Sequence, residues 1–133
     1  MDAFELAELK AAQAGGDRPY HEFVRTHDLS VGLYVLPAGG VDHQSPHTED
    51  EVYVVMSGRA TVTVGDEERA VQAGSVVFVP ADVSHRFHDI EAELVLVVAF
   101  GPAEYTQRVD HALAHPHAAA HATAHAGEVA PSS

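Results

Sequence analysis

From Val31 to Phe100 the chain is a succession of short apolar runs broken by glycine, proline and acidic turns, with no helical pattern between them. Val31–Leu36 ends at Pro37-Ala38-Gly39-Gly40, and a polar run, Val41–His47, follows. Glu51–Met56 stops at Ser57-Gly58, and Arg59–Val64 alternates with Ala60, Val62 and Val64 on one face. Gly65-Asp66 marks a hairpin, Glu68–Ala73 leads to Gly74, and Ser75–Val79 stops at Pro80. Ser84–Asp89 and Glu93–Phe100 complete about eight predicted strands. Parallel strands would need crossovers of a dozen or more residues, and the spacing leaves no room for them. An antiparallel sandwich or barrel is therefore predicted.

Two runs, Val52–Met56 and Leu94–Val98, are apolar on both faces. A strand with one wet face would alternate. Some outer surface is therefore expected to be covered, by a second subunit or by the N-terminal arm; a homodimer is favoured, with a thick two-layer core as the alternative.

The flanks differ from this centre. Residues 2–14 read as a short helix, with Asp2 as cap, Glu5 completing a capping box, and Gly15-Gly16 as the stop; a frayed arm is the alternative. Residues 17–30 are polar with Tyr20 and Phe23 as anchors, suiting an edge strand or an arm laid on a partner. After Tyr105 an Ala/His tail begins. His117, His121 and His125 would share one face of a helix and could hold a metal weakly, but Pro116 and the composition favour disorder. The expected organisation is an N-terminal helix and arm (1–30), a barrel (31–105) and a tail (106–133).

Composition narrows the function. The chain has 133 residues, enough for one domain, and 46% are hydrophobic, so a packed fold is expected. The formal charge is −13, from 20 acids against 7 bases. Nucleic acid requires basic neutralisation of phosphates, and an anionic membrane likewise attracts bases, so both are excluded as partners. No apolar run approaches the roughly 20 residues of a membrane span. The acidic start, Met1-Asp2-Ala3-Phe4-Glu5, lacks the basic region of a secretory signal, so a cytoplasmic protein is expected. There is no cysteine, so any bound metal must use nitrogen and oxygen donors.

Such donors sit in Pro46-His47-Thr48-Glu49-Asp50-Glu51, at the head of an apolar strand. Imidazole with carboxylate suits a divalent transition metal: Fe, Mn, Zn or Ni. A solvated turn would look similar, and His85, in a like setting, is what strengthens the metal reading. Glu49 and Asp50 read as solvated acids at the rim. His88 has the opposite parity to His85 and reads as outward-facing.

These residues resemble the cupin family. The family's first motif is a glycine, five residues, H-x-H, three or four residues, a glutamate, six residues and a glycine; Gly39, Ser45-Pro46-His47, Glu51 and Gly58 fit that frame. The second is a glycine, five residues, P-x-G, two residues, a histidine, three residues and an asparagine; Gly74, Pro80-Ala81-Asp82, His85 and Asp89 fit. The resemblance spans about Val31 to Phe100 and implies an all-β double-stranded β-helix, or jelly-roll barrel. It implies a metal held inside by three histidines and a glutamate, with His47, Glu51 and His85 matching three of those ligands. Three positions depart: Ser45 replaces the first ligand histidine, Asp82 the glycine and Asp89 the asparagine. His43 could swing in as fourth ligand, or Gln44 through a bulge; alternatively His43 stays at the barrel mouth and water fills the position. A metal-free His85–Glu51 pair is a further alternative.

Tyr53, Val55 and Phe87 share strand parity with the ligands and are predicted to wall the site. Tyr53 is a candidate catalytic proton donor or substrate handle, or else an ordinary core aromatic. Three functions follow. The first is metal-dependent oxygenase, isomerase or lyase chemistry on a small molecule. The second is non-catalytic binding of metal and a small ligand. The third is metal buffering led by the tail.

Overall fold

The computed structural model describes residues 1–43 and 46–104. The alternating runs become six antiparallel strands after a single helix. These are α1 (Leu6–Gly15), β1 (Tyr20–Arg25), β2 (Ser30–Leu36), β3 (Asp50–Val64), β4 (Glu67–Gln72), β5 (Val76–Val79) and β6 (His85–Gly101). The order is β1-β2-β6-β3-β4, with β5 also paired to β3. This is the expected all-β jelly roll. Gln44, Ser45 and the Ala/His tail, including His117, His121 and His125, lie outside the described residues.

Two long strands organise the barrel. β3 and β6 pair from Asp50↔Gly101 to Val64↔His85, with register shifts between Val55 and Thr61. β5 pairs with the first part of β3 (Glu51–Val54) and β4 with the last part (Arg59–Val64). One pair of strands thus serves both halves of the barrel. From sequence each long strand is predicted as two, because Ser57-Gly58 and Asp89–Ala92 resemble turns. They are irregularities within continuous strands. At Gly58, φ is +98° and a Cβ would stand 2.2 Å from the Glu93 carbonyl oxygen. A glycine there lets the two backbones touch where β3 bends.

The motif positions share this physical basis. Gly39, Gly58 and Gly74 all have positive φ, and so do Asp82 (+64°) and Asp89 (+50°). The two aspartates therefore occupy left-handed backbone, where aspartate is among the few tolerated side chains. Both departures keep the turn.

Val41–His47 was expected as a strand, but residues 41–43, 46 and 47 are irregular. Side-chain bonds replace the ladder. Tyr34 Oη donates to Asp42 Oδ1 at 2.5 Å, and the Phe87 amide donates to Asp42 Oδ2 at 2.8 Å. Burial first, and then the Asp42 charge and hydrogen bond, push the Tyr34 hydroxyl far above the ordinary phenol range.

The interior holds Tyr34, Leu36, Tyr53, Val55, Val62, Phe87, Leu94, Leu96, Val98 and Phe100 among its buried residues. Each large side chain buried contributes roughly 1.5–3 kcal/mol. A second cluster lies outside the sheet, where Leu9 of α1 covers Leu33, Val35 and Val95, with Phe23 and Val97 against them. Phe4 packs edge-on to Phe23 at 4.9 Å, and Lys10 pairs with Glu93 at 2.7 Å. The helix starts later than expected: Glu5 is the N-cap, without a side-chain bond, so the Asp2 capping box does not form. β1 is the expected edge strand.

The arm thus covers one end of the doubly apolar outer face. At the other end Val76 (66%) and Phe78 (57%) remain exposed.

Candidate metal centre

The barrel interior brings together side chains from three places in the chain. His47 lies in the loop entering β3, Glu51 is the second residue of β3, and His85 opens β6. All three are buried. Each offers one ligand atom, and those atoms lie within 4.8 Å of one another. His85 Nε2 stands 2.8 Å from Glu51 Oε1, and His47 Nδ1 stands 4.0 Å from the same oxygen.

Both ends of the His85 ring are engaged. Nδ1 donates to the Val83 carbonyl oxygen at 2.8 Å, which turns Nε2 toward Glu51 and toward the Tyr53 hydroxyl at 3.2 Å. Burial alone would lower the His85 pKa. The Glu51 hydrogen bond and charge, with the Val83 carbonyl and the Asp42 charge, outweigh it and raise the pKa above its ordinary value.

The residues fit a divalent transition metal. Two imidazoles and a carboxylate are the donor set such an ion takes when no thiolate is present. Glu51 Oε2 is buried without a hydrogen-bond partner among the described residues. A buried carboxylate oxygen left so is costly, and a cation would satisfy it.

The other predicted residues fall differently. Tyr53 is buried and lies edge-on to Phe87 at 4.9 Å, so it is both core aromatic and neighbour of the site. Val55 and Phe87 are buried in the same cluster. His43 is exposed and stands outside the cluster. Strand parity would turn His43 inward, but the segment is irregular and Asp42 takes the inward position, held by Tyr34 and Phe87. Glu49, read as a solvated rim acid, is 1% exposed and accepts from Thr48 Oγ1 at 2.6 Å. The turn it was assigned to is folded against the barrel. Asp50 is exposed and accepts from the Ala81 amide at 2.9 Å. His88 lies off the site, half-buried against Thr63 and Glu68.

One neighbour was missed altogether. Glu104, beyond the last strand, places Oε2 2.8 Å from His47 Nε2 and is 2% exposed. Gly101-Pro102-Ala103-Glu104 carries no motif. Only the return of the chain past Ser30 brings it there.

The cupin domain's family model matches residues 32–100, a stretch containing all three candidate ligands. The chain is a cupin. SCO3923, an uncharacterized protein of Streptomyces coelicolor, is 53% identical to this cupin over 104 residues, spanning 78% of this chain and 99% of its own. An RmlC-like cupin of double-stranded β-helix fold from Methanocaldococcus jannaschii superposes with a TM-score of 0.60 at 20% identity, over 68% of this chain and 84% of that one. The DMSP lyase DddQ from Ruegeria pomeroyi superposes at 0.54 and 22% identity, over 57% of this cupin and 39% of the lyase. These two likenesses concern the fold. No helix among the described residues is long and apolar enough to cross a membrane.

Proposed function

We propose that this cupin binds a divalent transition metal through His47, Glu51 and His85 and acts on a small molecule beside it, as a metal-dependent enzyme. One observation carries the reading: within a buried donor set, His85 Nε2 stands at hydrogen-bonding distance from both Glu51 and the Tyr53 hydroxyl. When bound, the metal supplies Lewis-acid polarisation of a substrate oxygen, or redox chemistry if it is iron.

The chain's own groups do the rest. Val83 orients His85 through its carbonyl, so that Nε2 faces inward. The Tyr53 hydroxyl, 3.2 Å from that nitrogen, can deliver or accept a proton at a substrate atom beside Glu51. Phe87 and Phe100 exclude water, and the Phe100 ring lies 4.9 Å from that of His47. A lyase among proteins of this fold is compatible with such chemistry.

Metal analysis of full-length protein tests the reading. A variant with alanine at the tail histidines (111, 115, 117, 121 and 125) should keep one tightly held ion per chain. His47→Ala and His85→Ala should lose it. Retention in His47→Ala and loss in the tail variant would move the site to the tail.

We further propose that two copies of this cupin pair through the outer face left open by α1. Val52, Val54, Val76, Phe78 and Ala99 share that face, with Val97 at its border with the cluster under α1, and β5↔β3 and β3↔β6 pairing makes them neighbours. A second copy carries the same charge of −13, so contact requires an uncharged strip, and these six side chains carry no charge. A two-fold axis would lay the strip on itself.

A further inference from the structure

We propose that Glu104 is a positioning residue for the metal centre: it accepts the Nε2–H of His47 and thereby makes Nδ1 of that ring the ligating nitrogen. The inference rests on the reading that His47, Glu51 and His85 hold an ion.

A neutral imidazole has one N–H and one lone pair, on opposite sides of the ring. A carboxylate 2.8 Å from Nε2 draws the proton to that nitrogen. The lone pair then lies on Nδ1, the atom that faces Glu51 Oε1 at 4.0 Å. Two ligands bonded to one ion at about 2.0–2.2 Å can stand at most about 4.4 Å apart, so this separation is within reach. The mutually close donor set comprises His47, Glu51 and His85 and leaves Glu104 out. Glu104 therefore engages the ring nitrogen other than the one that faces Glu51.

The two imidazoles are thus set as opposite tautomers. His85 gives its Nδ1–H to a backbone carbonyl and presents Nε2. His47 gives its Nε2–H to a carboxylate and presents Nδ1. The charged acceptor makes His47 the more basic ligand.

The fold holds Glu104 in place through the N-terminal arm. Its amide donates to Ser30 Oγ at 2.8 Å, and its carbonyl accepts from Arg25 Nη2 at 2.6 Å. The Ala103 amide donates to the His27 carbonyl at 3.2 Å. The β1–β2 hairpin thereby braces a group in contact with a ligand.

The test uses full-length protein with alanine at the five tail histidines and reads two quantities. The first is the His47 tautomer in the metal-free protein, from imidazole 15N shifts. The second is Zn2+ affinity by chelator competition in Glu104→Ala, Glu104→Gln and the control Glu51→Gln. The expected results are an Nε2–H tautomer and Zn2+ binding about 10–100-fold weaker in Glu104→Ala. Glu104→Gln should lose less, since its amide oxygen still accepts. Zn2+ binding in Glu104→Ala within twofold of the parent, while Glu51→Gln abolishes it, would overturn the inference and leave the metal site standing. A parent protein that takes up no Zn2+ would overturn both. If Glu104→Ala fails to fold, the tautomer decides: an Nδ1–H form overturns the inference.

Discussion

Glu51 Oε1 and His85 Nε2 face each other at 2.8 Å inside the barrel, each side chain 1% exposed. In the metal-free protein this pair holds the His85 proton, and its pKa is raised above the ordinary value of about 6.5. The stabilisation it contributes is fully present below that ordinary value. It is lost as pH rises through the higher folded value. Metal-free protein should therefore lose stability on passing through that window from below, and Glu51→Gln should flatten the dependence. Denaturant midpoints across the window check this; an unchanged slope in Glu51→Gln would remove the pair as its source.

Metal replaces that proton, because a ligating imidazole gives it up. Adding Zn2+ at a hundred times its dissociation constant should stabilise the protein by about 2.7 kcal/mol, and chelator should reverse it. His85→Ala should abolish the effect. Thermal unfolding with and without metal measures it.

Gly58 and Asp82 should respond with opposite signs. At Gly58 a Cβ would meet backbone at 2.2 Å, and φ is already +98°. Gly58→Ala should cost about 3 kcal/mol. Asp82, at φ +64°, sits where the family motif carries glycine. Asp82→Gly should relieve the left-handed strain and stabilise by about 1 kcal/mol. Urea unfolding of the two variants decides between these signs.

Phe78 is 57% exposed at the β5 side of an uncharged apolar strip. Phe78→Glu should convert a dimer into a monomer while leaving the metal content unchanged. Sedimentation equilibrium reads the first and metal analysis the second. A wild-type protein that sediments as a monomer at micromolar concentration would end the pairing proposal.

Much of this protein was legible in its residues. Short apolar runs with no room for crossovers between them dictated an antiparallel β fold, because parallel neighbours need a dozen or more connecting residues. The positive-φ positions were marked by Gly39, Gly58 and Gly74, since few other residues tolerate that backbone. His47, Glu51 and His85 were legible as a donor set because imidazole and carboxylate beside buried strands need a compensating charge.

What only the tertiary structure decided concerns groups whose roles depend on who comes near. Asp42 displaced His43 because Tyr34 and Phe87 reach it from β2 and β6. Glu49 became buried, and Glu104 came to rest on His47 from 57 residues further along the chain. Local patterning encodes which face of a strand is apolar. It carries no record of which distant polar groups fill the space that closing the barrel creates.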